Sequence, residues 1–164
     1  MNQETEKEFY IDCDGIRLHS KLDYPESFDG KCPLMLLFHG FTGHMEERHI
    51  LGMAVLRVDS YGHGKSEGEF RNHTLYKWVT GALTVVDYAK QLDFVTDLYL
   101  CGHSQGGLLV SLIAGMCPDV FKALIPMSPA LMIPENARTG SLLGQSFEPV
   151  HIPDILVSWD GREL

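Results

Sequence analysis

The sequence predicts an α/β fold, a mostly parallel central sheet with helices on both faces. Three observations carry that expectation. Residues 34–38, 54–58, 98–101 and 123–127 are short runs dominated by apolar side chains, as strands buried on both faces require. Residues 74–92 and 105–116 have the three-to-four spacing of helices with one apolar stripe. Strand and helix patterns alternate along the chain, the order that a parallel sheet needs.

In order, residues 8–13 alternate, with Phe9 and Ile11 on one face and Tyr10 on the other. Residues 16–22 alternate again, and Asp14-Gly15 between them is a two-residue turn signal, so the N-terminus reads as a β-hairpin. A loop over 25–31 leads into the first central strand, Leu-Met-Leu-Leu-Phe, which ends at His39-Gly40. The second is Ala-Val-Leu-Arg-Val, ending at Asp59. Thr74 is suited to cap a helix whose stripe is Leu75, Trp78, Val79, Leu83, Val86 and Ala89. The third strand runs into Gly102-His103-Ser104-Gln105-Gly106, and the next helix presents Leu108, Leu109, Leu112, Ile113 and Met116. Residues 123–127 form the fourth. From residue 128 onward, Pro129, Pro134, Gly140, Gly144, Pro149 and Pro153 break the chain into short apolar pieces. Two parts are expected: 1–127, the N-terminal part of the sheet core, and 128–164, an irregular insertion over it. One connection is too short. A parallel crossover needs at least roughly 10–12 residues, usually with a helix, and the 41–52 segment must also hold the Phe41-Thr42-Gly43 loop, so that 44–52 is too short for a loop, a helix and a second loop. Absence of residues around Ile50-Leu51 is the expectation.

The chain of 164 residues, 45% hydrophobic and 21% charged, lies in the range of ordinary globular domains. Its net charge of −9 argues against nucleic acid or an anionic membrane as partner. No apolar stretch approaches a membrane span, and the first residues, Met-Asn-Gln-Glu-Thr-Glu-Lys-Glu, lack the pattern of a signal peptide. Cys13, Cys32, Cys101 and Cys117 have neither metal spacing nor a C-x-x-C pair, so no metal or cofactor is expected. Cys32 and Cys101 fall in or beside buried strands, and a reducing, cytoplasmic setting fits best.

Gly102-x-Ser104-x-Gly106, with a strand before it and a helix after it, is the pattern of a nucleophile elbow in the α/β-hydrolase fold. The turn is so tight that the positions two before and two after the serine have no room for a side chain, and the Ser104 hydroxyl stands above the sheet. Gln105 follows at a helix N-terminus, where free N–H groups favour negative charge. His39-Gly40-Phe41, after the first central strand, sits where this fold supplies its second oxyanion donor. Phe41 and Gln105 N–H are thus the expected oxyanion hole, each donor contributing roughly 3–4 kcal/mol to the barrier. His39 is expected to support the loop by hydrogen bonding, with Gly40, Gly102, His103 and Gly106 completing the motifs. Gly64-Lys65-Ser66 resembles the tail of a phosphate-binding loop, but that motif needs glycine where Asp59 stands. The segment 59–66 reads instead as a turn tied together by Asp59 and His63. After Ser104 the only histidine is His151, in the proline-broken insertion, where a surface or lid role is expected. Asp119 lies at the end of the elbow helix. No triad acid or base is evident.

These residues, with Gly-Phe-Thr-Gly-His-Met-Glu-Glu-Arg-His over 40–49 and Ile-Pro-Glu-Asn-Ala-Arg-Thr-Gly over 133–140, resemble the bacterial feruloyl (cinnamoyl) esterases across essentially the whole chain. The resemblance implies Ser104 as nucleophile, Phe41 and Gln105 as oxyanion donors, and residues 128–164 as the start of a lid. It implies hydrolysis of hydroxycinnamate esters of plant cell-wall sugars, a small-molecule substrate, and allows for a homodimer. Family members carry the aspartate and histidine after later strands, so the C-terminal part of the fold is expected to be absent and these 164 residues alone to be inactive. In the lid, Trp159 and Phe147, beside Gln145, Asp154 and Asp160, offer aromatic walls and a polar partner for a phenolic acid. Trp159 serves equally as an anchor of the lid. Ser128 and Arg138 are read as structural. Alternatives are a monoacylglycerol lipase or thioesterase of the same fold, since the elbow is blind to the acyl group, or a non-catalytic remnant.

Overall fold

The computed structural model describes residues 6–26, 28–41, 43–45, 53–142, 145–149 and 151. The chain divides into two compact units, Met1–Pro129 and Ala130–Leu164. The first is built on a six-stranded sheet. Strands β1 (Glu6–Cys13), β2 (Ile16–Asp23), β3 (Cys32–Phe38), β4 (Ala54–Val58), β5 (Val95–His103) and β6 (Phe121–Met127) lie in the order β1-β2-β4-β3-β5-β6. The hairpin β1–β2 and the β2–β4 pair are antiparallel. The pairs β3–β4, β3–β5 and β5–β6 are parallel. The α/β-hydrolase fold expected from the sequence is therefore present, a mostly parallel sheet with an antiparallel hairpin at one side. The hairpin closes through Asp14 at φ 52° and Gly15 at φ 78°, both left-handed, as a turn matched to strand twist requires. Pro33, which has no N–H for the ladder, sits where the register of central β3 shifts.

Helices α1 (Leu75–Lys90) and α2 (Gln105–Met116) both pack on one sheet face. Leu34, Leu36, Phe38, Ala54, Leu56, Val58 and Leu100 rise from the sheet to meet Val85, Val86, Leu109 and Ile113. The opposite face carries a smaller cluster of Leu37, Val55 and Cys101, with Met35 and Met127 against it. The expected cap on α1 is present, Thr74 accepting from Lys77 N–H at 3.3 Å. The expected stripes are partly displaced. Leu75 is exposed, and the buried line of α1 runs through Trp78, Gly81, Ala82, Val85, Val86 and Ala89, because small residues let the helix approach the sheet. On α2, Leu109, Val110 and Ile113 are buried while Leu112 and Met116 are exposed. Strand β6 also departs from the expectation of a strand buried on both faces. It has β5 on one side, it is outermost among the described strands, and Leu124 and Ile125 are exposed. The second unit holds α3 (Ile133–Arg138) and the short antiparallel pair β7 (Ser141–Leu142) and β8 (Gln145–Ser146). The short crossover around Ile50-Leu51 lies outside the described residues. Among those residues, no helix is long and apolar enough to cross a membrane.

Candidate active site

Ser104 stands between the last residue of β5 and the first of α2, with φ 55° and ψ −116°. An L-residue adopts such a conformation only when its surroundings impose it, at a cost of about 1–3 kcal/mol. The surroundings are two glycines with no space above them. A Cβ on Gly102 would lie 2.2 Å from the Gly106 carbonyl oxygen, and one on Gly106 would lie 2.3 Å from that of Phe38. The start of α2 is thus pressed against the ends of both β5 and β3. Ser104 N–H donates to the Met127 carbonyl at 2.9 Å, tying the turn to β6 as well.

The loop after β3 runs directly beside the serine. A Cβ on Gly40 would lie 3.1 Å from Ser104 Cβ, so the absence of a side chain there sets the approach. Gly43 N–H closes a turn onto the Gly40 carbonyl at 3.0 Å. His39 is buried, and both its ring nitrogens are engaged. Nε2 accepts Ser60 N–H at 3.0 Å, so Nδ1 carries the proton and donates to the Gly40 carbonyl at 2.7 Å. That assignment gives His39 a supporting role and leaves it no lone pair for the Ser104 hydroxyl. The Phe41 ring rests on Phe70, centroids 5.4 Å apart, and Phe70 meets the edge of His63 at 4.8 Å. His63 also meets the tilted ring of His39 at 5.1 Å and that of His73 edge-on at 4.8 Å. Burial pushes the His63 imidazole down to about 4 and lowers that of His73.

Behind the loop lies a buried set of charges that sequence reading passed over. Arg57, fully buried on β4, donates from Nε and Nη2 to Asp23 at 2.7 and 3.0 Å, from Nη2 to Glu6 at 2.9 Å, and from Nη1 to the Met45 carbonyl at 2.8 Å. Asp59 accepts Met45 N–H at 2.9 Å and Lys65 N–H at 3.0 Å. The ring of His19, also buried, lies between two carboxylates, with Nδ1 2.9 Å from Asp59 and Nε2 2.6 Å from Glu8. Burial works to raise the Asp59 carboxyl, but the bonds from His19, Lys65 and Met45 outweigh it and hold it below the ordinary range. Glu8 is held down to about 2 by its bonds to Lys65 and His19. The expected tie across 59–66 is present. Ser66 donates to the Asp59 carbonyl at 2.7 Å, and a Cβ on Gly64 would strike the Asp59 carboxyl. The signal for Arg57 was a lone charge inside an apolar run, but its partners come from strands distant in sequence.

The structure therefore brings Ser104, Gln105, Gly102, His103, Gly106, His39, Gly40 and Phe41 to the ends of β3 and β5. His103 closes β5 with an exposed side chain. Asp119, at φ 65°, lies in the connection from α2 to β6. His151 and Gln145 belong to the second unit, and both are exposed. Trp159 lies outside the described residues. Among the described residues, no cluster of His, Cys, Asp or Glu is arranged to hold a metal.

A strained serine between strand and helix, with a glycine loop against it and a parallel sheet behind, defines a serine hydrolase of the α/β-hydrolase superfamily. The chain belongs to the family described as serine aminopeptidase, S33, whose model matches residues 31–162. Its structure is similar to that of Est1E from Butyrivibrio proteoclasticus with ferulic acid bound, at 61% identity and a TM-score of 0.91, covering 95% of this chain and 66% of that one. The family resemblance read from the motifs, to bacterial feruloyl esterases, is thereby borne out. Mouse monoglyceride lipase is 30% identical over 131 residues, 74% of this chain and 43% of its own. The Pyrococcus furiosus esterase Pf2001, at 18% identity and a TM-score of 0.66 over 82% of this chain and 53% of that one, shares the fold. The chain thus spans less than half the length of the lipase and about two thirds that of Est1E.

Proposed function

We propose that the protein is a serine carboxylic-ester hydrolase that cleaves feruloyl and related hydroxycinnamoyl esters through an acyl-enzyme on Ser104. The observation that carries the ester-hydrolase reading is Ser104 itself, held at φ 55° at the head of α2 with the Gly40 loop against its Cβ, and the likeness to Est1E, solved with ferulic acid bound, supports the hydroxycinnamoyl class. In the proposed reaction Ser104 Oγ attacks the ester carbonyl carbon and gives its proton to a base other than His39. The carbon–oxygen bond to the alcohol breaks, the alcohol leaves with the proton, and water then releases the acid from the serine. Phe41 and Gln105 N–H stabilise the oxyanion at both stages. Residues 128–164 are proposed to begin a lid that contacts the aromatic acid through Gln145 and Trp159, which the division of the chain at Pro129 and the exposure of Gln145 support. The free cysteines, three of them buried, support a reducing, cytoplasmic setting, and a homodimer is carried forward from the family resemblance.

The test is hydrolysis of methyl ferulate, a short p-nitrophenyl ester and a monoacylglycerol by the natural full-length protein and its Ser104→Ala variant. A preference for ferulate, lost in the folded variant, is expected. A preference for the monoacylglycerol would move the substrate toward that of the lipase relatives, and turnover retained in Ser104→Ala would sink the mechanism.

A further inference from the structure

On the reading that Phe41 N–H serves the oxyanion, we propose that Arg57 and Asp59 are positioning residues of the oxyanion hole, acting through the two peptide groups of Met45. The loop that carries Phe41 leaves β3 at His39 and is gripped at both ends by one element, the end of β4. At the near end Ser60 N–H holds the His39 ring at 3.0 Å. At the far end Asp59 takes Met45 N–H at 2.9 Å, and Arg57 Nη1 donates to the Met45 carbonyl at 2.8 Å. Between the grips, Gly43 N–H donates to the Gly40 carbonyl at 3.0 Å, the carbonyl that His39 Nδ1 also holds.

Two buried charges are a costly way to fill a sheet, since each must be matched or it destabilises the fold. The neighbouring positions Ala54, Val55, Leu56 and Val58 fill it with apolar side chains. Asp59 directly follows β4, two residues after Arg57, and both side chains reach Met45. Asp23 takes Nε and Nη2 of the guanidinium fork, which leaves Nη1 directed at Met45. Asp59 is fixed in turn by His19 at 2.9 Å and Lys65 N–H at 3.0 Å. The N-terminal hairpin, through Glu6, Glu8, His19 and Asp23, is therefore a brace for the loop as well as an edge of the sheet. A donor displaced by about 1 Å from a developing charge is enough to cost on the order of a hundredfold in rate.

Arg57→Lys and Asp59→Asn in the natural full-length protein test this with matched oxo and thiono esters of ferulic acid. Sulfur accepts hydrogen bonds poorly, so the oxo/thiono rate ratio reports the oxyanion hole, whereas a loss of folded enzyme lowers both rates alike. A wild type without Ser104-dependent ester turnover overturns the functional reading itself. With the wild type active, the expected result is an oxo/thiono ratio reduced about tenfold or more, kcat falling with it and KM within about twofold. An unchanged ratio overturns the positioning role. Should both variants fail to fold, Glu6→Gln, at the half-exposed outer end of the Arg57 cluster, is expected to lower the ratio about threefold, and an unchanged ratio there is equally decisive.

Discussion

Ser104 holds a backbone conformation that glycine adopts freely and serine does not. Ser104→Gly is expected to raise stability by about 1 kcal/mol, the relief of strain exceeding the entropy lost by glycine, while ester turnover disappears. A denaturant midpoint that falls instead would mean that the surroundings do not strain the turn. Gly106→Ala moves the other way. Its Cβ would meet backbone oxygen from Phe38 and His39, neither of which can swing aside, so the elbow must open. A loss of about 2–4 kcal/mol, together with activity, is expected from unfolding and rate measurements. Both glycines of the motif were legible from the sequence because their spacing is local. The role of His39 was half legible: support of the loop follows from its place, but the proton position needed the Ser60 N–H, a partner 21 residues away.

At the scale of elements, each strand and long helix of the first unit was legible, since apolar runs and caps are written in adjacent residues. The helix faces were less so. In α1 the large side chains suggested a stripe through Leu75, while burial follows Gly81, Ala82 and Val85, where small size permits close packing. Helix α2 is apolar all round, so periodicity alone cannot choose a face. The structure makes the choice testable. Leu109→Ala, emptying a fully buried site, should cost about 3 kcal/mol in denaturant unfolding, and Leu112→Ala less than about 1. Equal losses would mean that Leu112 is packed as closely as Leu109 and that the buried face is not the one described. Of the brace of Arg57 and Asp59 only the lone charge in an apolar run and the turn at Asp59 were legible, because its partners on β1 and β2 lie 34 to 51 residues away.

For the molecule as a whole, His63 and its neighbour His73 shape the response to acid. His63 titrates near 6.5 when unfolded and about 4 when folded, because burial disfavours the imidazolium. Between those values the unfolded chain binds more protons, so stability is lost as pH falls from about 6.5 toward 4. His73, lowered for the same reason, adds to the loss. The depressed carboxyls of Glu8 and Asp59 act in a lower window: their stabilisation is present above about pH 4.5 and fades as pH falls through their folded values. Unfolding midpoints at pH 7, 5.5 and 4 should show the decline beginning above the carboxylate range, and His63→Phe should flatten it. A wild-type profile flat down to pH 4.5 would contradict the assignment. Strand β6 has a different consequence. Among the described residues nothing pairs with its outer ladder of N–H and C=O groups, and that ladder, flanked by exposed Leu124 and Ile125, is a template on which a second chain can add a strand. Expressed alone, the 164-residue chain should lose solubility steeply with concentration, and Ile125→Lys should restore it by charging the growing seam.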